Sequence, residues 1–297
     1  MSDDKKITVG FRPDKASIRR AERIIEMLAE AGCGNINDFR ENRSNINGKG
    51  PLEIKGLFKM LREGRLDIVI GSASEIPFPL SDGLEIGAVP SRGNPYNVLV
   101  SDEELILEEQ PEDMPIVVPD PVSRGQLLYY RPDLLFVDMD CGVESLNGMM
   151  EEGKIGGFVV DAMEVEALSC QDRVVEVFTS SLCMPAAGQG AMALVTRSGD
   201  KRVKAIVEKI NHQPSWAEVS LERIFLGEIP GRGRRSVGAL SRVEDDEFQI
   251  SAVLVAEDGS ERIEGTMTGW KGEEKAAAGK LVNQLLDACG EHLIRKC

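Results

Sequence analysis

Short apolar runs alternate with longer amphipathic segments through the first two thirds of this 297-residue chain, and that alternation leaves few architectures open. "KITVGF" has the character of a strand. "KASIRRAERIIEMLAEAG" follows it, with Ile18, Ala21, Ile25 and Leu28 at helical spacing, Gly32 as a stop and Asp14 placed to cap the start. "LFKMLREG" is helical and leads into the strand-like "RLDIVIGS", and "NVLV" is another short strand. A second set begins near residue 96, where "MPIVVPD", "LLFVDM" and "GGFVVD" are strands separated by helical segments. Alternating strands and helices bury their apolar faces by stacking in layers, so the pattern predicts an α/β architecture.

"MPAAGQGAMALV" then interrupts the chain with Pro185, Gly188 and Gly190 before one more strand-like run. From residue 215 the pattern changes. One helix, "WAEVSLERIF", precedes three strand candidates near 235–243, 247–256 and 261–268, with Asp258 and Gly259 as the turn between the last two. A final helix carries Leu281, Leu285 and Cys289 on one stripe, which predicts a small α+β unit.

Composition narrows the function classes. Fifty acidic against 35 basic residues give a net charge of −15, a field that repels nucleic acids and anionic membranes. The opening "MSDDKK" lacks the apolar core of a signal peptide, and no apolar run approaches the roughly 18 residues of a membrane span. The six cysteines, at 33, 141, 170, 183, 289 and 297, form no CxxC pair, as expected of reduced thiols in the cytoplasm. With His212 and His292 as the only histidines, no metal centre is expected.

Several segments, in order along most of the chain, resemble the porphobilinogen deaminase (hydroxymethylbilane synthase) family. They are "GRLDIVIGSASEIP" (64–77), "GLEIGAVPSRGNP" (83–95), "RPDLLF" (131–136), "MPAAGQGAMAL" (184–194) and "INHQPSWAEVSLER" (210–223). The resemblance implies two lobes like those of periplasmic binding proteins with a cleft between them, plus a small α+β third domain. On this sequence the expected ranges are 1–91 with 189–212 for the first lobe, 96–184 for the second and 215–297 for the third domain. The resemblance also implies a covalent dipyrromethane primer on a cysteine, four additions of porphobilinogen with loss of ammonia, an aspartate that handles protons, and basic residues that pair with acetate and propionate groups.

This chain departs from that pattern where the chemistry lies. In "PGRGRRSVG" Gly233 stands where the resemblance expects the thiol, and no cysteine lies within thirty residues on either side. A dipyrromethane cofactor is therefore not expected, nor is any other. Glu75 replaces the proton-handling aspartate and Ser74 the neighbouring lysine. Glu75 suits either proton transfer or a plain surface carboxylate before a proline turn, and a displacement of about 1 Å can cost on the order of a hundredfold in rate. Among substrate-binding positions, Arg12, Lys55, Ser72 and Arg124 match. Asp14 introduces a carboxylate at a helix start, Ser123 replaces one of an arginine pair, and Met139 and Ser145 fall where further arginines belong. Arg232, Arg234 and Arg235 are gains, either an anion-binding loop in place of the anchor or a solvated surface turn. "GQG" at 188–190 is a hinge or a crossing between lobes rather than a phosphate loop.

Three readings follow. The first is a cleft that binds an anionic, carboxylate-bearing small molecule such as a pyrrole or tetrapyrrole, with primer-dependent synthesis lost. The second is an active synthase whose primer is held noncovalently or elsewhere. The third is a non-catalytic binding or regulatory protein. None calls for nucleic acid, membrane or an obligate protein partner.

Overall fold

A computed structural model describes residues 6–39, 53–101, 104–139, 141–230 and 237–296, with side chains through residue 288. In chain order the elements begin with β1 (Ile7–Gly10), α1 (Lys15–Glu30), β2 (Ile36–Asp38), α2 (Ile54–Arg62), β3 (Ile68–Ser72), β4 (Leu84–Ala88) and β5 (Asn97–Ser101). They continue with β6 (Ile116–Val117), α3 (Pro121–Tyr130), β7 (Phe136–Val137), α4 (Val143–Glu151), β8 (Gly157–Asp161), α5 (Ala162–Leu168) and β9 (Val174–Val177). The last are β10 (Met192–Arg197), α6 (Lys201–Val207), α7 (Gln213–Glu228), β11 (Val237–Glu244), β12 (Glu247–Val255), β13 (Arg262–Trp270) and α8 (Glu274–Lys296).

The chain divides into two compact units, one of Met1–Arg92 with Ala191–Trp216, the other of Gly93–Gly190 with Ala217–Cys297. The first holds a five-stranded sheet ordered β2-β1-β3-β10-β4, with β1 parallel to β2 and β3 and with β10 antiparallel to β3 and β4. The second holds a five-stranded sheet ordered β7-β6-β8-β5-β9, with β6 parallel to β7 and β8 and with β5 antiparallel to β8 and β9. The two sheets share one plan. Three parallel strands come first, then the strand with which the chain enters that unit from the other. All residues of β3 and of β5 are buried, as expected of central strands covered on both faces.

Local signals account for the helices. On α1 the buried stripe is Ala21, Ile24 and Leu28, while Ile18 and Ile25 are only partly covered. Asp14 caps this helix by accepting a hydrogen bond from the Ser17 amide at 2.8 Å. Three strands carry weaker signals: β2 and β9 pair at sheet edges with no fully buried residue, and β4 is interrupted by a bulge against β10.

The second unit also holds the three-stranded antiparallel sheet β11-β12-β13, whose inner face packs Ile250, Ala252 and Leu254 against Leu221 and Phe225 of α7 and Leu281 and Leu285 of α8. Gly259 takes a left-handed φ of +69° in the turn before β13, as the Asp-Gly pair predicts. The fold class expected from the sequence, two α/β sheet-and-helix lobes with a small α+β piece, is the one observed.

Candidate functional site

Because β1 and β3 run parallel with Val9 opposite Ile68, their carboxyl ends emerge side by side. In open α/β sheets this end is where ligands bind, because the loops leaving adjacent strands converge there. Arg12 follows β1, and Ser72, Ser74 and Glu75 end or follow β3. Arg12 Nη1 donates to Glu75 Oε1 at 2.7 Å, and Arg12 Nε lies 3.4 Å from Asp14 Oδ2. The Asp14 contact is an ion pair without hydrogen-bond alignment, since that oxygen is shielded and accepts none. The Ser72 and Ser74 hydroxyls bond to each other at 2.8 Å. Arg12, Ser72 and Glu75 are therefore brought together. Lys55 is exposed in the first turn of α2, and the preceding glycine-rich segment lies outside the described residues.

The corresponding strand end in the second unit repeats the device. Asp120 caps α3 by accepting from the Ser123 amide at 2.7 Å and the Ser123 hydroxyl at 2.6 Å. Asn97 Nδ2 donates to that same hydroxyl at 2.9 Å, so Ser123 is buried and fully engaged by protein. Arg124 Nη1 lies 3.4 Å from Asp138, and Asp161 caps α5 through the Met163 amide at 2.9 Å. Open helix N-termini attract anions, but an aspartate cap satisfies the free amides and places a negative charge there. Sequence reading found the Asp14 cap and missed those of Asp120 and Asp161, although for Asp120 "PDPVS" carries the signal: an acid, a proline at the first helical position, and a serine three residues on.

Met139 packs against the core beneath α4, and Ser145 is exposed on that helix. Gly233, Arg232, Arg234 and Arg235 lie outside the described residues. The described cysteines differ in burial. Cys183 is wholly buried and its thiol is pushed up to about 11, because burial outweighs the hydrogen bonds from Ser123 and Asn97. Cys33 is buried, and Cys141 and Cys170 are half-covered against the core of the second lobe. Among the described residues no group of acidic, histidine or cysteine side chains could hold a metal ion, and no helix is long and apolar enough to cross a membrane.

A family model described as "Porphobilinogen deaminase, dipyromethane cofactor binding domain" matches residues 7–205. The porphobilinogen deaminase of Pelotomaculum thermopropionicum is 30% identical over 303 aligned residues, covering 98% of this chain and 97% of that protein. That of Moorella thermoacetica is 32% identical over 243, covering 82% and 77%. Among solved structures, a putative methionine-binding lipoprotein from Bacillus subtilis is similar at a TM-score of 0.44 and 13% identity, covering 71% of this chain and 92% of that one. The family match corrects one expectation. The absence of a thiol at position 233 argued against any dipyrromethane cofactor, yet the matched domain is the one described as binding it. One loop residue bears on covalent attachment, whereas the matched domain extends over 7–205 and does not reach that loop.

Proposed function

The chain belongs to the porphobilinogen deaminase family, and from that premise we propose that it binds a carboxylate-bearing pyrrole at the carboxyl end of the first lobe's sheet and has lost primer-dependent hydroxymethylbilane synthesis. The observation that carries this reading is the state of Arg12. Its guanidinium already holds Glu75 at 2.7 Å and faces Asp14 at 3.4 Å, so the trio has a net charge of −1. A charge-assisted hydrogen bond contributes about 1.5–3 kcal/mol. Each protein carboxylate about 4 Å from an incoming one costs about 1–4 kcal/mol, depending on the local dielectric. At these partly exposed side chains the lower figure applies, so repulsion offsets part of the attraction, and a site that must hold a lengthening chain of acetates and propionates is weakened most.

The test is incubation of the purified chain with porphobilinogen, followed by acid cyclisation, oxidation and a porphyrin absorbance reading. The expected result is no bilane above a protein-free control, while calorimetry registers porphobilinogen binding. Bilane production matching a family member assayed in parallel would overturn the loss of synthesis. It would favour the second reading, an active synthase whose dipyrromethane is held noncovalently or on another residue. The match to the family's cofactor-binding domain is what supports that alternative.

A further inference from the structure

The outer face of the three-stranded sheet carries a feature that the deaminase reading does not use. At one end of this face Glu244, Glu247 and Trp270 stand in one row across β11, β12 and β13, paired directly by the strand register. They help line a shallow depression of about 550 Å³ together with Arg242 and Glu273. Trp270 is 58% exposed, the most open large apolar side chain among the described residues. Phe248, on the neighbouring row, also lines the depression and is buried.

Two features of this row are costly in the free protein. Glu244 and Glu247 face each other across an antiparallel pair, where like charges destabilise a sheet. Neither makes an ion pair among the described residues, although Arg242 lies on the same face. An indole left in water forfeits the burial that makes tryptophan a common anchor of interfaces. A cation resolves both costs at once. Set on the electron-rich ring face of Trp270, its charge lies beside Glu247, the middle residue of the row, and offsets the repulsion that Glu247 meets from Glu244. The hairpin tip adds Asp245 and Asp246, of which Asp246 is 3.8 Å from Lys271, and Glu273 accepts the Trp270 amide at 3.0 Å. With Arg242 the depression keeps a net charge of −2 from Glu244, Glu247 and Glu273.

The geometry points to a docking surface for a basic, extended segment of a partner protein, with a lysine or arginine side chain laid on Trp270 beside Glu247 and with Glu244 next in the row. The surface lies on the third sheet and is independent of the pyrrole site. The probe for the full-length chain is a short capped peptide of alternating lysine and threonine, with its glutamate-threonine counterpart as control, read by calorimetry and tryptophan fluorescence. Saturable binding of the lysine peptide alone is expected. Trp270→Ala should weaken it about tenfold, and Trp270→Phe should keep most of the affinity. Glu244→Gln should weaken binding and raise the melting temperature of the free protein, because it relieves the facing pair. Glu26→Gln combined with Glu30→Gln, on α1 of the other unit, should change nothing. The proposal is overturned if the lysine peptide does not saturate, if Trp270→Ala binds as the parent does, or if the α1 pair weakens binding as much as Glu244→Gln.

Discussion

Two carboxylates compete for one guanidinium at Arg12, and the competition can be relieved one partner at a time. Glu75→Gln keeps the side chain's shape and removes the charge that holds Arg12 Nη1 at 2.7 Å. Porphobilinogen affinity should rise about tenfold, the equivalent of about 1.4 kcal/mol. Asp14→Asn should give a smaller gain, because its contact with Arg12 is longer at 3.4 Å and asparagine still caps α1. Calorimetric titrations of both variants against the parent decide this, and an unchanged or weaker affinity in Glu75→Gln would show that Glu75 itself contacts the ligand. Cys183 offers a second test at this scale. Its folded thiol titrates at about 11 because burial disfavours the thiolate, whereas an unfolded one titrates near about 8.5. The unfolded state therefore loses its proton first as pH rises. Stability from this group is complete below about pH 8.5 and declines towards pH 11, by at most about 3 kcal/mol. Urea unfolding across that range should show a smaller alkaline loss in Cys183→Ala, and a thiol reagent should label Cys183 only once the chain unfolds.

At the scale of elements, the "GQG" turn shows how an apparently flexible segment is fixed. Gly190 has φ +77°, and a β-carbon there would stand 2.6 Å from the Pro95 Cα, so no other residue fits without backbone movement. Gln189 donates to the Pro95 carbonyl at 2.8 Å and to Asn97 Oδ1 at 2.9 Å, which ties the turn to the start of β5. Glu222 of α7 is fully buried, accepting the Gly188 amide at 2.6 Å and the Ser241 amide at 2.8 Å. One carboxylate thus joins the turn, a helix and β11. Glu222→Leu would strand those amides in the core and should cost about 3 kcal/mol or more in chemical denaturation, whereas Glu222→Gln, which still accepts one amide, should cost less. Losses of equal size in the two variants would point to packing rather than to hydrogen bonding. The sequence placed Pro185, Gly188 and Gly190 at a break in the strand and helix pattern, but nothing local to them indicated a buried acid more than thirty residues away.

For the whole molecule, the alternation of apolar runs and amphipathic helices was enough to give α/β layers, because side-chain periodicity and caps act over a few residues and need no partner. The change of pattern after residue 215 marked the small antiparallel sheet for the same reason, and matching motifs along the chain marked the family. The missing thiol at position 233 was equally plain in the sequence, yet the inference from it to no dipyrromethane went too far, since the matched cofactor-binding domain spans residues that do not include that position. Strand order belonged to the tertiary structure. The fourth place in each five-stranded sheet goes to the entering strand, β10 or β5, which no local pattern assigns. The same holds for the sites. Arg12 meets Glu75 across 63 residues only because β1 and β3 pair in parallel, and Glu244, Glu247 and Trp270 form a row only through the register of three strands. Identity, periodicity and capping are written within a few residues of sequence. Which charges end up sharing a site depends on pairing between distant segments, and burial of the whole core selects that pairing.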